Sequence, residues 1–175
     1  MYSEQMMGCI PRYQGTRIQV ETHVVGLPDG RTAHRDVVRH PQAVVIVPFL
    51  DDTTIVMVQQ YRTAAKQTLL EVPAGCIEDG EDLLVAANRE LREETGYRAT
   101  HLELIAGGFP SPGFCTEFMH FFKATGLVQD PLPQDDDEWI HCVPMTIDAL
   151  LTAISLRHIQ DLKTMVGLLQ CIRVP

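Results

Sequence analysis

The chain has 175 residues, of which 45% are hydrophobic and 21% are charged. That length suits one domain with a full hydrophobic core, so no disulfides are needed to hold it together. The formal net charge of −9 disfavours binding to nucleic-acid backbones and to anionic membranes, which carry the same sign. A small phosphate-bearing substrate would need metal ions or a local cationic patch to offset this charge.

The cysteines and the N-terminal sequence indicate a reduced, cytoplasmic protein. Five cysteines occur without a CxxC pair: Cys9, Cys76, Cys115, Cys142 and Cys171. An odd, unpatterned set favours free thiols over a disulfide framework or a zinc site. Residues 1–15 lack the basic and apolar segments of a signal peptide, and no apolar run reaches the roughly 18 residues of a membrane span. We therefore expect a cytoplasmic location, with no membrane or nucleic-acid partner.

Extended segments dominate the first half of the chain. The predicted strands are residues 17–25, 32–40, 42–50, 54–60 and 69–72. A Pro-Asp-Gly turn joins the first two strands, and Asp51 and Asp52 separate the next two. Both pairs are therefore predicted to be β-hairpins.

The second half contains the predicted helices. They are residues 79–95, 146–155 and about 160–172. Strands are predicted at 102–106, 118–124 and 139–143, and residues 128–137 form an acidic, proline-bearing loop. Asp82 is placed to cap the first helix, and Gly96 follows that helix at the C′ position. Strands prevail early and helices close the chain, which indicates an α+β fold with a mixed sheet.

One stretch of regularly spaced residues carries the candidate chemistry. It reads GCIEDGEDLLVAANRELREETGY and begins at Gly75. Five residues separate Gly75 from Glu81, and seven more separate Glu81 from Arg89. At about 100° per residue, a helix through this stretch has a predicted core stripe. The stripe consists of Leu84, Ala87, Leu91 and Thr95.

The same helix gathers carboxylates beside its core stripe. Glu90 and Glu94 are four residues apart and share one face, and Glu93 extends that face. Clustered carboxylates repel one another, and hard divalent cations such as Mg²⁺ prefer oxygen ligands. Arg89 lies at the edge of this face, where it can orient a glutamate by a charge-assisted hydrogen bond. The spacing of the glutamates alone is more typical of a solvated acidic surface, whereas the complete motif, with every residue in register, favours a metal site.

The motif fills every fixed position of the Nudix box, GX5EX7REUXEEXGU, and the chain resembles the Nudix hydrolases. It is similar in particular to their ADP-ribose pyrophosphatase branch. Further segments carry that likeness: VQQYR, LLEVPAG, GGFPSPGFCTEFMHFFKATGL and DLKTMVGLL. The resemblance implies an α/β/α sandwich around a mixed sheet, with an N-terminal β-hairpin. It also implies residues 1–40 as strands of a homodimer interface and residues 41–175 as the hydrolase part of one compact fold.

The resemblance also implies the reaction and the metal ligands. The expected reaction is Mg²⁺-dependent hydrolysis of the pyrophosphate bond of ADP-ribose to AMP and ribose 5-phosphate, with Mn²⁺ as a substitute metal. The implied metal ligands are Glu90, Glu94, Glu93, Glu138 and the backbone carbonyl of Ala74. Glu81 and Arg89 are implied to support them.

The general base is implied to lie in a late loop. Glu138 is the first candidate, Asp136 is the second, and Glu93 is a further alternative. Asp135 and Asp137 lie in the same loop, where relatives usually carry more glutamates. Because aspartate reaches less far than glutamate, the choice stays open.

The residues implied to bind substrate lie outside the box. Arg62 and Arg35 are candidates for a phosphate or ribose, and Glu117 either contacts the terminal ribose or fixes its loop. Pro112 lies 15 residues beyond Tyr97, as in members that prefer ADP-ribose, and Gly113 is expected to serve the turn with a positive φ. Tyr13 and Tyr61 are candidates for stacking on the adenine, although a core or interface position is favoured for each, and a core position is favoured for Trp139.

Two other functions remain open. The box binds only the diphosphate and metals, so the substrate can also be a nucleotide sugar such as GDP-mannose, or a dinucleotide such as NADH. A non-catalytic module that senses nucleotides is the second alternative. Such a module is expected to lose box glutamates, whereas Glu81, Glu90, Glu93 and Glu94 are all present.

Overall fold

The structure is a computed structural model that describes residues 3–134 and 139–172. The chain forms two compact units. The first unit is Met1–Gln42 with Phe109–Phe118, and the second is Ala43–Gly108 with Met119–Pro175. The domain assignment made from the sequence stays a prediction.

The first unit contains a three-stranded antiparallel sheet. Its strands are β1 (Gln5–Gln14), β2 (Gln19–Gly26) and β3 (Thr32–Arg39), in the order β1-β2-β3. The hairpin β2–β3 confirms the first predicted hairpin. Strand β1 was not predicted, because Gly8 and Pro11 are unfavourable inside strands. Two register shifts, next to Gly8 and between Pro11 and Tyr13, accommodate them.

The second unit contains a mixed four-stranded sheet. Its strands are β4 (Ala43–Pro48), β7 (Ala74–Cys76), β8 (Tyr97–Gly108) and β9 (Met119–Gln129), in the order β7-β4-β9-β8. Strands β4 and β9 are parallel, and the other pairs are antiparallel. Strands β8 and β9 are both longer than predicted, because their pairing continues into residues outside the predicted segments.

A second sheet in this unit corrects the other predicted hairpin. Strands β5 (Thr54–Arg62), β6 (Gln67–Glu71) and β10 (His141–Thr146) form it in the order β10-β5-β6. Strand β4 therefore does not pair with β5 along its length, and a single bridge from Phe49 to Ile55 links the segments. The prediction was wrong because both strands are buried and each takes its neighbours from elsewhere in the chain.

Three helices complete the second unit, at the predicted places. They are α1 (Leu83–Thr95), α2 (Ile147–Ser155) and α3 (Leu162–Cys171), with N-caps Asp82, Thr146 and Asp161. Helix α1 begins four residues later than predicted. The reason is that Gly80 has a φ of 79° and Asp82 is extended, so the preceding residues form a turn. Within the described residues, no helix is long and apolar enough to cross a membrane.

Strand β4 forms the centre of the core and is buried on both faces. Val44 and Ile46 pack in one cluster with Ala87 and Leu91 of α1. The alternate residues of β4 pack in the other cluster, with Leu150 of α2 and Leu168 of α3. Each fully buried aliphatic side chain contributes about 1.5–3 kcal/mol. This α/β/α arrangement around a mixed sheet confirms the predicted fold class.

Four large side chains are more exposed than predicted. Leu84 was placed in the core stripe of α1 but is 50% exposed, and Ala86 is buried in its place. Trp139 precedes β10 rather than belonging to it and is 89% exposed. Tyr13 and Tyr61 are also exposed, which contradicts a core position for either ring within this chain.

Candidate active site

The candidate site is built on the loop and helix that follow β7. The Asp82 carboxylate accepts hydrogen bonds from the backbone N–H groups of Leu84 and Val85 and so fixes the first turn of α1. Gly96 ends the helix in the left-handed conformation, with φ of 76°, and its N–H donates to the Arg92 carbonyl. The motif therefore defines both ends of the helix that carries its glutamates.

A glycine is needed at position 75 because a side chain would not fit there, and not because the backbone needs conformational freedom. A Cβ atom at this position would lie 2.0 Å from the carboxyl carbon of Glu90 and 2.1 Å from each carboxylate oxygen. These distances are far inside van der Waals contact, so any side chain here displaces Glu90. The first glycine of the motif thus makes room for one of its carboxylates.

Arg89 organises the carboxylate cluster. Its guanidinium donates from Nε and Nη2 to the two oxygens of Glu81, both at 2.9 Å. It also donates to Glu90 at 2.8 Å, to Glu93 at 3.0 Å and to the Cys76 carbonyl at 3.0 Å. The bond to Glu81 raises the pKa of Arg89 above its ordinary value; burial opposes this shift, and Glu90 reinforces it. The same bond lowers the pKa of Glu81.

Glu94 is held separately from the other glutamates. It is only 5% exposed, and its Oε2 accepts a hydrogen bond from the Ala74 backbone N–H at 3.2 Å. The Cys142 thiol lies against the Glu94 carbonyl, with Sγ 3.5 Å from the oxygen. Burial raises the pKa of Cys142, and the charge of Glu94 adds to the effect. The predicted neighbours Ala74 and Glu94 are therefore in direct contact.

The cluster has the chemistry of a divalent-cation site. Glu81, Glu90 and Glu93 are all largely shielded from solvent. Arg89 offsets only one of the charges that they and Glu94 carry. Carboxylate oxygens gathered in this way are the donors that hard divalent ions prefer. The residues present thus fit a metal group.

A cavity of about 320 Å³ borders the cluster. Its lining includes Glu93 and Glu94 of α1 together with Pro131, Gln134 and Ile140. Residues that flank the late acidic loop in the sequence therefore border the same cavity as two carboxylates of α1. The candidate bases Glu138 and Asp136, with Asp135 and Asp137, lie outside the described residues.

The comparison with known protein families identifies the chain. The NUDIX domain model matches residues 39–163. The chain belongs to the Nudix family. Nudix hydrolases generally depend on divalent metal ions and act on small nucleoside-diphosphate compounds, which agrees with the cluster described above.

Individual Nudix relatives cover most of the chain. It is 36% identical over 169 residues to the methanol dehydrogenase activator of Bacillus methanolicus, which is 95% of this chain and 91% of that protein. It is 36% identical over 154 residues to the ADP-ribose pyrophosphatase of Bacillus subtilis (strain 168), with coverage of 87% and 83%. A crystal structure of an ADP compounds hydrolase matches its fold with a TM-score of 0.86 and 22% identity, over 96% of this chain and 91% of that one. The predicted class, a Nudix pyrophosphohydrolase, is confirmed.

Arg62 is part of an ion-pair network that the sequence did not reveal. It binds the carboxylate of Glu71, which is only 1% exposed. Lys163 at the start of α3 also donates to Glu71 and to Asp161. The bond to Glu71 raises the pKa of Arg62, and the nearby charge of Glu94 contributes to this shift. The sequence did contain one sign of this network: Glu71 is a charged residue inside the apolar segment LLEVPAG. A charge that is buried with such a segment needs a partner of opposite charge.

The remaining predicted substrate residues lie in the first unit. Arg35 is paired with Glu4, with Nη2 2.5 Å from Oε1. Glu117 lies beside His40, with Oε1 3.7 Å from Nδ1. Pro112 and Gly113 form a turn. The expectation for Gly113 was wrong, because this glycine does not adopt a positive φ.

Proposed function

We propose that this Nudix protein hydrolyses the pyrophosphate bond of ADP-ribose to AMP and ribose 5-phosphate, using Mg²⁺. The observation that carries the proposal is the complete carboxylate cluster, with Arg89 bound to Glu81, Glu90 and Glu93 and with Glu94 buried beside it. The similarity to an ADP-ribose pyrophosphatase over 87% of the chain supports the choice of substrate.

The chain's own residues would hold the metal and the diphosphate in place. Glu90 and Glu94 are the proposed principal ligands, with Glu93, Glu138 and the Ala74 carbonyl as further ligands. Bound Mg²⁺, or Mn²⁺ in its place, would supply Lewis-acid polarisation of the diphosphate and activation of a water. Arg89 orients the carboxylates, and Glu81 holds Arg89 through both oxygens.

The general base is proposed to be Glu138, with Asp136 as the second candidate. The flanking residues Gln134 and Ile140 line the same cavity as Glu93, which supports a base in this loop. Glu138→Gln and Asp136→Asn should be compared with Asp135→Asn as the matched control. If neither of the first two lowers kcat, the proposed base becomes Glu93.

Substrate contacts are proposed for five residues: Arg62, Arg35, Glu117, Pro112 and Gly113. The best supported is Arg62, because Glu71 fixes the guanidinium while 39% of the side chain remains exposed. An arginine held in this way loses little freedom on binding a phosphate. Its replacement by lysine should raise KM for the true substrate more than it lowers kcat.

A substrate panel tests the proposed reaction. ADP-ribose, GDP-mannose, NADH and diadenosine polyphosphates should each be assayed with Mg²⁺ under the same conditions. ADP-ribose is expected to be among the best substrates by kcat/KM. A clear preference for a nucleotide sugar or a dinucleotide would overturn the substrate assignment but leave the family unchanged.

The proposed role of Glu94 as a metal ligand can be tested by substitution. Glu94→Gln removes one proposed ligand and should lower kcat by roughly two orders of magnitude or more. Glu103→Gln changes an exposed glutamate on β8 and should leave kcat unchanged. Wild-type activity in Glu94→Gln would refute the ligand assignment.

A second candidate function is activation of a methanol dehydrogenase. It is favoured by the 36% identity to an activator of that name over 95% of the chain. Adding the chain to a methanol dehydrogenase and measuring alcohol oxidation tests it. If the rate rises with the wild type but not with Glu94→Gln, activation depends on the hydrolase site.

We propose a cytoplasmic homodimer with residues 1–40 at its interface. Strand β1 supports this, because it exposes several large apolar side chains: Met6, Met7, Ile10 and Tyr13. Light scattering after size-exclusion chromatography should give twice the mass of one chain. Ile10→Asp is expected to shift the protein towards the monomer.

A further inference from the structure

Three potential metal ligands meet on the three-stranded sheet of the first unit. Cys9 of β1 is the direct cross-strand partner of His23 on β2. Glu21 precedes His23 by two residues on the same strand. Paired residues point to the same side of an antiparallel sheet, and so do residues two apart. The register therefore places the thiol, the imidazole and the carboxylate on one face.

The three candidate ligand atoms lie near one another, and the Cys9 thiol is exposed to solvent. One atom each from Cys9, Glu21 and His23 all lie within 4.8 Å of one another. His23 Nε2 is 2.8 Å from Glu21 Oε2, and both side chains are 18% exposed. Zinc–ligand bonds of about 2.0–2.3 Å in a tetrahedron separate the ligand atoms by about 3.3–3.8 Å. Small side-chain rotations would bring the three atoms to that spacing.

We propose that Cys9, Glu21 and His23 bind a divalent zinc ion, with water at the fourth position. A thiolate and an imidazole are ligands that zinc accepts and that Mg²⁺ and Ca²⁺ avoid. The site differs from the glutamate cluster of the Nudix box in both residues and metal preference. Its ligands come from two strands, so no CxxC or HxxxH spacing in the sequence reveals it.

The neighbouring charge of Arg39 is compatible with this ion. Arg39 Nε donates to Glu21 Oε2 at 3.1 Å, so a cation already shares that carboxylate. A Zn²⁺ ion, the Cys9 thiolate and the Glu21 carboxylate are formally neutral together, so Arg39 does not face a net positive charge. Arg39 nevertheless competes for Glu21. Removal of Arg39 should therefore tighten metal binding.

Cobalt spectroscopy distinguishes this site from the active site. The full chain should be titrated with Co²⁺ in excess Mg²⁺, which occupies oxygen-ligand sites. A thiolate–cobalt charge-transfer band is expected to appear, to saturate at one equivalent and to be removed by Zn²⁺. Cys9→Ser and His23→Gln should both abolish it. Cys115→Ser and His34→Gln, which change another thiol and another imidazole of the same unit, should retain it.

Two results would overturn the proposal. One is the absence of a thiolate–cobalt band in the wild type, and the other is a band that persists at full strength in His23→Gln. A second measurement is independent of spectroscopy: Zn²⁺ should raise the Tm of the wild type but not that of Cys9→Ser. Arg39→Gln should bind Co²⁺ several-fold more tightly than the wild type, and unchanged or weaker binding would contradict the assigned competition. None of these readouts depends on hydrolase activity.

Discussion

Arg62 donates two parallel hydrogen bonds to Glu71, from Nε to Oε1 at 2.8 Å and from Nη2 to Oε2 at 2.7 Å. Lys163 donates to the same carboxylate from α3. Bidentate pairs of this kind combine charge with fixed geometry. The buried carboxylate therefore ties the hairpin β5–β6 to the third helix.

Glu71→Gln should destabilise the protein, because it leaves Arg62 and Lys163 without their shared counter-charge. Breaking a fully buried pair costs about 3–5 kcal/mol, and the partial exposure of Arg62 reduces the expected loss to about 2–3 kcal/mol. Urea denaturation measures the free energy of unfolding. Asp29→Asn breaks the exposed pair with Arg31 and should leave the urea midpoint unchanged. Equal effects of both variants would contradict the role of burial.

Acid should remove the contribution of Glu71. Burial acts to raise the pKa of this carboxyl, but the hydrogen bond from Arg62 and the charge of Lys163 outweigh it and lower the pKa below the ordinary 4.5. A carboxylate with a lowered folded-state pKa stabilises the protein above its unfolded-state pKa, and this stability is lost as pH falls through the folded-state value. The difference in unfolding free energy between wild type and Glu71→Gln should be constant near neutral pH and shrink below about pH 4.5. A difference that grows in acid would refute this.

Gly75→Ala should lower activity without removing a functional group. The added Cβ displaces the Glu90 carboxylate, and a misplacement of about 1 Å can cost about 10²-fold in rate. We expect kcat/KM for the best substrate to fall by about that factor. Gly108→Ala is the control, because a Cβ there meets no atom within 4 Å. Near-normal activity of Gly75→Ala would show that Glu90 can move without consequence.

Arg89→Gln should weaken metal binding. Without the guanidinium, Glu81, Glu90 and Glu93 lose their common donor and repel one another. Loss of such an orienting group typically costs about 10–100-fold in metal affinity or activity. Activity measured against Mg²⁺ concentration should show a higher requirement for metal. Arg92→Gln, on the same helix but bound to Asp130, should keep the wild-type requirement.

Asp82→Ala should shorten or loosen the start of α1. The side chain accepts hydrogen bonds from two backbone N–H groups of the first turn, at 2.9 and 3.4 Å. Loss of such a cap costs about 1 kcal/mol in the free energy of unfolding. Asp79→Ala, in the preceding turn, should cost less. Equal losses would indicate that the helix begins where the sequence had placed it.

The parts of the molecule that follow local rules were predictable from the sequence. The positions of Glu90, Glu93 and Glu94 on one face of α1 follow from helical periodicity, and the end of the helix follows from Gly96. This is why the carboxylate face of α1 could be predicted from the sequence. Asp82 was identified as a capping residue, although the helix was predicted to begin at residue 79.

The parts that depend on distant residues were not predictable. The partner of Glu71 on α3 lies 92 residues away, and the separation of β4 from β5 depends on strands from later in the chain. The failure of Leu84 as a core residue has the same origin, because the packing of α1 against β4 selects Ala86 and Ala87 instead. The hydrophobic pattern predicts whether a segment is a helix or a strand, but the face that it buries depends on the elements that pack against it.

The network around Glu71 also implies an order of assembly. Its two cationic partners differ greatly in distance along the chain: Arg62 is nine residues away and Lys163 is 92. Closing a short loop costs less entropy than closing a long one, so the hairpin acquires its ion pair first. Arg62 and Glu71 are both translated well before Lys163, so this pair can form while the third helix is still absent. Docking of the last helix is then expected to add Lys163 to this charge cluster.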